Sequence, residues 1–117
     1  MDGIILYGLR NCDTCKKALA ALDAAGRAVN FVDIRTEADL AAKVPAWLAA
    51  KGLQTLVNKR SATWRALDDV ERERVEAGEA AALLIANPTL IKRPVIEAGQ
   101  EVFVGWSKDV GAALAQS

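Results

Sequence analysis

No histidine occurs anywhere in the 117 residues of this chain. That absence removes Ser-His-Asp and Cys-His catalysis and every histidine-ligated metal site within one chain. With only 2 cysteines besides, a four-ligand zinc site cannot close unless carboxylates or a second chain contribute. An activated nucleophile must therefore be activated by backbone amides, by Lys or Arg, or by burial. Neither sign of charge is in excess, because 15 basic residues balance 15 acidic ones, so direct nucleic-acid or membrane-surface binding is not expected. No apolar stretch approaches the ~18 residues of a membrane-spanning helix. The apolar run at 4–7 is too short for a signal-peptide core and no basic residue precedes it, which makes the cytoplasm the expected location.

What is present suits one core. The hydrophobic fraction of 52% argues against disorder, and 1–117 reads as a single domain. The run at 4–7, bounded by Gly3 and Gly8, reads as a buried strand. Cys15, Ala18, Leu19 and Leu22 then fall on one face of a helix that stops at Gly26. Residues 28–34 (AVNFVDI) read as a second strand, parallel to the first with a right-handed crossover. A helical insertion follows at about 36–88. Within it Thr36-x-x-Asp39 is a helical cap, Pro45 fits a fresh helix start or a kink, and Trp47 and Leu48 face the core up to a stop at Gly52. Ser61 caps a short helix through Leu67, and Asp68-x-x-Glu71 opens another as a capping box. The helical residues 79–86 end at Asn87-Pro88. Residues 90–96 and 101–104 read as a β-hairpin turning at Ala98-Gly99, and Ser107 caps a last helix carrying Val110, Ala113 and Leu114. The order is β-α-β, a helical block, then β-β-α, an α/β arrangement with a mixed sheet.

Both cysteines lie in LRNCDTCKK, where strand gives way to helix. The pair has three readings: a redox dithiol, half of a metal site, or one reactive thiol beside a bystander. A thiol at a helix N-terminus meets unpaired N–H groups and the positive end of the dipole, which commonly bring its pKa from ~8.5 to roughly 3.5–7.5. Lys16 and Lys17 add positive potential there and Asp13 opposes it. Cys12 belongs at the first helical turn, partly exposed, as the reactive thiol. Cys15 falls one turn later on the core-facing side, as a resolving thiol or as a small packed side chain.

The element order, with a Cys after the first strand and Arg-Pro before the hairpin, resembles the arsenate reductase-like branch of the thioredoxin superfamily. Within it YGLRNCDTCKKA, LVNKRSATWRALDD and LIKRPVI are similar to the small YffB-type proteins, over essentially the whole chain. The transcription regulator Spx is a more distant relative. The resemblance implies a thioredoxin-like fold with Cys12 as nucleophile. It places Arg93-Pro94 where such folds carry a cis proline opposite the reactive cysteine. Arg93 then pairs with a bound anion or steadies the Cys12 thiolate, and Pro94 shapes the platform for a thiol substrate; the plain reading of Arg93 is a solvated surface arginine. Asn11 and Thr14, which flank Cys12 in the matched motif, are expected at the thiol-binding site, together with Arg60. The sequence departs from the branch in two ways. Of the three arginines that its arsenate reductases use, two positions carry Asn58 and Gly105, which counts against arsenate even though Arg60 lies near the first. Cys15 stands where YffB-type sequences usually carry an apolar residue.

These implications lead to a glutathione-dependent thiol–disulfide oxidoreductase with no bound cofactor, acting as a monomer on glutathione or on a small thiol or oxyanion substrate. Glutaredoxin is a candidate partner. The alternatives are a glutaredoxin-coupled arsenate reductase, and an Spx-like redox switch that binds RNA polymerase. The block from Asn58 to Arg65 is either an anion site or a helix start with Trp64 packed inward and its cations solvated. Residues 71–74, of mixed sign, read as a solvated face, and Trp106 as core or cleft lip.

Overall fold

The computed structural model describes residues 3–116. Along the chain run β1 (Ile4–Gly8), α1 (Asp13–Ala24), β2 (Val29–Asp33), α2 (Leu40–Lys51), α3 (Leu53–Leu56), α4 (Ala62–Ala66), α5 (Asp69–Arg74), α6 (Ala80–Ala86), β3 (Val95–Ala98), β4 (Glu101–Val104) and α7 (Lys108–Gln116). They divide into two compact units: the described residues up to Ala38 together with those from Arg93 onward, and Asp39–Lys92. Among the described residues no helix is long and apolar enough to cross a membrane.

The first unit is organised by a four-stranded mixed sheet in the order β2-β1-β3-β4. β1 is parallel to β2, Gly8 lying opposite Asp33, and antiparallel to β3, Tyr7 lying opposite Val95. Because side chains alternate along a strand, Ile4, Leu6 and Gly8 share one face of β1. That face packs against the apolar stripe of α1 and the inner side of α7, in a core of Ile4, Leu6, Cys15, Ala18, Leu22, Ile96 and Leu114. Each fully buried Leu or Ile there contributes roughly 1.5–3 kcal/mol over its exposed state. α1 ends as its sequence dictates, with Gly26 at φ 77 just beyond it. Ser107 caps α7, its Oγ accepting from the Val110 amide at 3.2 Å. Of the apolar residues the last helix carries, Leu114 is buried, Val110 half-buried and Ala113 exposed. Gly111 takes the close approach: a Cβ there would come 3.2 Å from the Trp106 ring.

The second unit is helical apart from an isolated bridge between Val57 and Ile91. Thr36 does not cap a helix: Asp39 itself caps α2, its Oδ1 accepting from the Ala42 amide at 3.3 Å, while the two later caps lie where the sequence placed them. Ser61 accepts from the Trp64 amide, and Asp68 and Glu71 form a reciprocal capping box. Pro45 is a correction, since it lies inside α2 rather than at a fresh helix start. Its missing N–H costs a helical bond, and burial of Val44 and Trp47 on the same helix offsets that loss. Leu48 is only half-buried. The hairpin is the second correction. Its first strand begins at Val95, because Ile91 is held by the bridge to Val57 and Lys92 donates to the Leu56 carbonyl at 2.8 Å. Its turn is Gly99-Gln100, since Ala98 pairs with Glu101. Positive φ at Gly99 alone matches a type II′ turn.

Candidate active site

β1 delivers the chain to the sheet end at Gly8, and a tight turn through Leu9, Arg10 and Asn11 sets Cys12 at the head of α1. The Cys12 amide donates to the Leu9 carbonyl at 3.2 Å, and the Cys12 carbonyl accepts the first helical bond from the Lys16 amide at 2.9 Å. Cys12 is the N-cap residue, in extended backbone, and half-buried. Its thiol is thus aimed at the amides that the helix leaves without partners.

The Arg93–Pro94 peptide bond is cis. Pro94 stands one residue beyond the Tyr7–Val95 pair, at the same end of the sheet as Cys12, and its carbonyl accepts from the Gly105 amide at 2.8 Å. Pro94 is buried and Arg93 half-buried, which corrects the plain reading of Arg93 as solvated. Its guanidinium donates a hydrogen bond to the Cys12 sulfur.

Those contacts decide which thiol ionises. Burial pushes the Cys12 pKa up, but the Cys15 amide, the Cys15 thiol, Arg93 and the Thr14 amide all donate to its sulfur, and the balance falls below the ordinary thiol value. Cys15 goes the other way. Burial, its hydrogen bond to Cys12 and the Cys12 charge push it up to about 11, against the Leu9 backbone and Arg93. Cys12 is therefore the thiol that ionises first, and Cys15 stays protonated as its donor. Cys15 is 0% exposed.

Of the remaining expected site residues, Thr14 is exposed and contributes its amide N–H, and Asn11 is exposed on the turn before Cys12. Arg60 is exposed and belongs to the helical unit, where with Lys59 and Lys92 it lines a cleft of about 540 Å³ that has no carboxylate in its wall. Asn58 shapes the turn beside it, its Oδ1 accepting from the Arg60 amide at 3.1 Å and its carbonyl from Ser61 Oγ at 2.8 Å. Trp64 is half-buried, with Lys59 and Arg72 over its ring at 5.4 and 6.0 Å. The cations around Trp64 are therefore not simply solvated: Lys59 pairs with Glu76 at 3.0 Å, and Arg72 turns in to donate to the Arg65 carbonyl at 3.0 Å. Sequence reasoning missed one contribution first of all, Cys15 as a hydrogen-bond donor to Cys12. The i, i+3 spacing of the cysteines was the available signal for it.

A family model described as the ArsC family matches residues 7–114. An uncharacterized protein of Haemophilus influenzae is 40% identical over 114 residues, covering 96% of this chain and 99% of its own. Among solved structures, a YffB protein superposes with a TM-score of 0.87 at 36% identity, over 96% of this chain and 98% of that one. An arsenate reductase (ArsC) related protein from Brucella melitensis gives 0.76 at 32% identity, over 95% and 92%.

Proposed function

The chain belongs to the ArsC family and has an arsenate reductase-like thioredoxin fold, and from that premise we propose that it is a glutathione-dependent thiol–disulfide oxidoreductase. The observation that carries this reading is the Cys12 sulfur, which receives two amides, a thiol and a guanidinium at the head of a helix. A thiolate is the attacking species in disulfide exchange, and a partly exposed one beside a cation is the reactive kind.

In the proposed cycle the Cys12 thiolate attacks the glutathione sulfur of a mixed disulfide. A bond forms between those two sulfurs, the substrate's disulfide breaks, and its thiolate leaves with the electron pair and takes a proton from water. A second glutathione, as thiolate, attacks its counterpart in the adduct. Glutathione disulfide departs and the Cys12 thiolate is restored, so each mixed disulfide consumes one free glutathione and yields one substrate thiol and one glutathione disulfide. Arg93 faces the sulfur through both steps, and Pro94 with Asn11 and Thr14 borders the position of the incoming thiol. Resolution from outside is supported by Cys15: at pKa about 11 only about one molecule in ten thousand is thiolate at pH 7. Burial, the largest cause of that value, persists when Cys12 is in the adduct.

The cleft lined by Lys59, Arg60 and Lys92 suits carboxylates or oxyanions. Arsenate is the less supported substrate. Gly105 stands where the family's reductases carry an arginine, and its φ of 81 is a conformation that an arginine adopts only with strain. The test is turnover of a glutathione mixed disulfide by wild type and Cys12→Ser. Loss of turnover in the variant is expected, and equal rates would overturn the proposal.

A further inference from the structure

Cys15 is a buried thiol that the proposed cycle does not consume, and its sulfur occupies a particular place. A Cβ built on Gly8 would fall 2.5 Å from Cys15 Sγ, with Leu6 Cδ2 at 3.3 Å and Cys15 Cβ at 3.4 Å. The sulfur fills the space that any side chain at residue 8 would need. The backbone gives no other reason for a glycine there. Gly8 is paired in β1 opposite Asp33, and its φ is not among the positive values of this chain. Such a position suits a β-branched residue, and a glycine in a strand is destabilising. The neighbour requires the glycine, not the strand.

We propose that Gly8 is a positioning residue for Cys12: by carrying no side chain it lets the Cys15 sulfur lodge against β1, where its S–H donates to the Cys12 sulfur. Cys15 sits one turn along α1 from Cys12, buried in the core cluster that also holds Leu6, Ala18 and Leu22. A methyl group on residue 8 drives that sulfur into another staggered well, about 120° away, and the donor leaves Cys12. The effect concerns the thiolate and rests on the proposed function only in naming Cys12 as the reacting sulfur.

The experiment is the pH dependence of Cys12 alkylation by iodoacetamide, with the modified residue located by mass spectrometry and folding checked by circular dichroism. The set is wild type, Gly8→Ala, Cys15→Ala, Cys15→Ser and the Gly8→Ala/Cys15→Ala double variant. In Gly8→Ala and in Cys15→Ala the midpoint is expected to rise by about one pH unit, a tenfold loss of thiolate below it. Cys15→Ser keeps a donor and stays close to wild type. The double variant matches Cys15→Ala, because both changes remove one interaction. A folded Gly8→Ala with the wild-type midpoint overturns the proposal, as does a double variant well above Cys15→Ala. Should Gly8→Ala not fold, the double variant decides: without the sulfur it folds with the Cys15→Ala midpoint, and failure to do so overturns the proposal. No glutathione enters this measurement, so its failure is distinct from equal turnover by Cys12→Ser.

Discussion

Replacing Arg93 by Met removes the cation and the donor that face the Cys12 sulfur while keeping an unbranched side chain of similar reach. Arg93 is one of four donors to that sulfur, beside the Cys15 amide, the Cys15 thiol and the Thr14 amide. A hydrogen bond to a charged group contributes about 1.5–3 kcal/mol. Cys12 is only half-buried, so solvent screens the pair and about 1 kcal/mol is the better figure. At 1.36 kcal/mol for each pH unit, the Cys12 midpoint should rise by about 0.7, which below the midpoint is a loss of roughly fivefold in thiolate. The change should leave the fold intact. Arg93→Lys keeps the charge but not the planar fork, and belongs between the two. The assay is the pH–rate profile of alkylation at Cys12, alongside the ultraviolet absorbance of the thiolate. A folded Arg93→Met protein with an unmoved or lowered midpoint refutes the reasoning, because the guanidinium would then not be acting on the sulfur.

The two thiols give opposite pH signatures in stability. The folded pKa of Cys12 is lowered from 9.0, so its contribution is present above that value and is lost as pH falls through the folded pKa; wild type should gain over Cys12→Ser in denaturant titrations as pH rises from 6 to 10. Cys15 is raised to about 11, so its contribution is full below 9.0 and is lost as pH climbs toward 11; the advantage of wild type over Cys15→Ser should shrink across that window. Pro45→Ala restores a donor inside α2 on an exposed face and should stabilise by about 1–3 kcal/mol in thermal unfolding, unchanged stability counting against the lost helical bond.

The features legible in the sequence are those fixed by neighbours a few residues away. Ser61 and the Asp68–Glu71 box act within one helical turn, and Gly26 and Gly99 supply a backbone conformation that few other residues adopt. Cys12 was readable for the same reason, because a strand followed at once by a helix fixes what a thiol at that junction meets. Other features depend on distant partners. Pro45 is tolerated inside α2 because Val44 and Trp47 are buried, and no local propensity carries that information. The start of β3 was misplaced because Ile91 is held by Val57, thirty-four positions earlier. Arg93 entered the site through family resemblance alone; its contact with Cys12 joins residues eighty-one positions apart. The Gly8–Cys15 contact is separated by only seven positions, yet it spans a strand, a turn and a helix, and only their packing brings the two together.

The central claim is that Cys12 is the thiolate that takes up glutathione, and that glutathione resolves the adduct. Mass spectrometry of the protein after mild oxidation with glutathione present tests it most directly. One glutathione adduct on Cys12 is expected, with Cys15 unmodified and the same adduct in Cys15→Ala. A protein that gains no glutathione, carries it on Cys15, or shows only a Cys12–Cys15 disulfide would contradict the account.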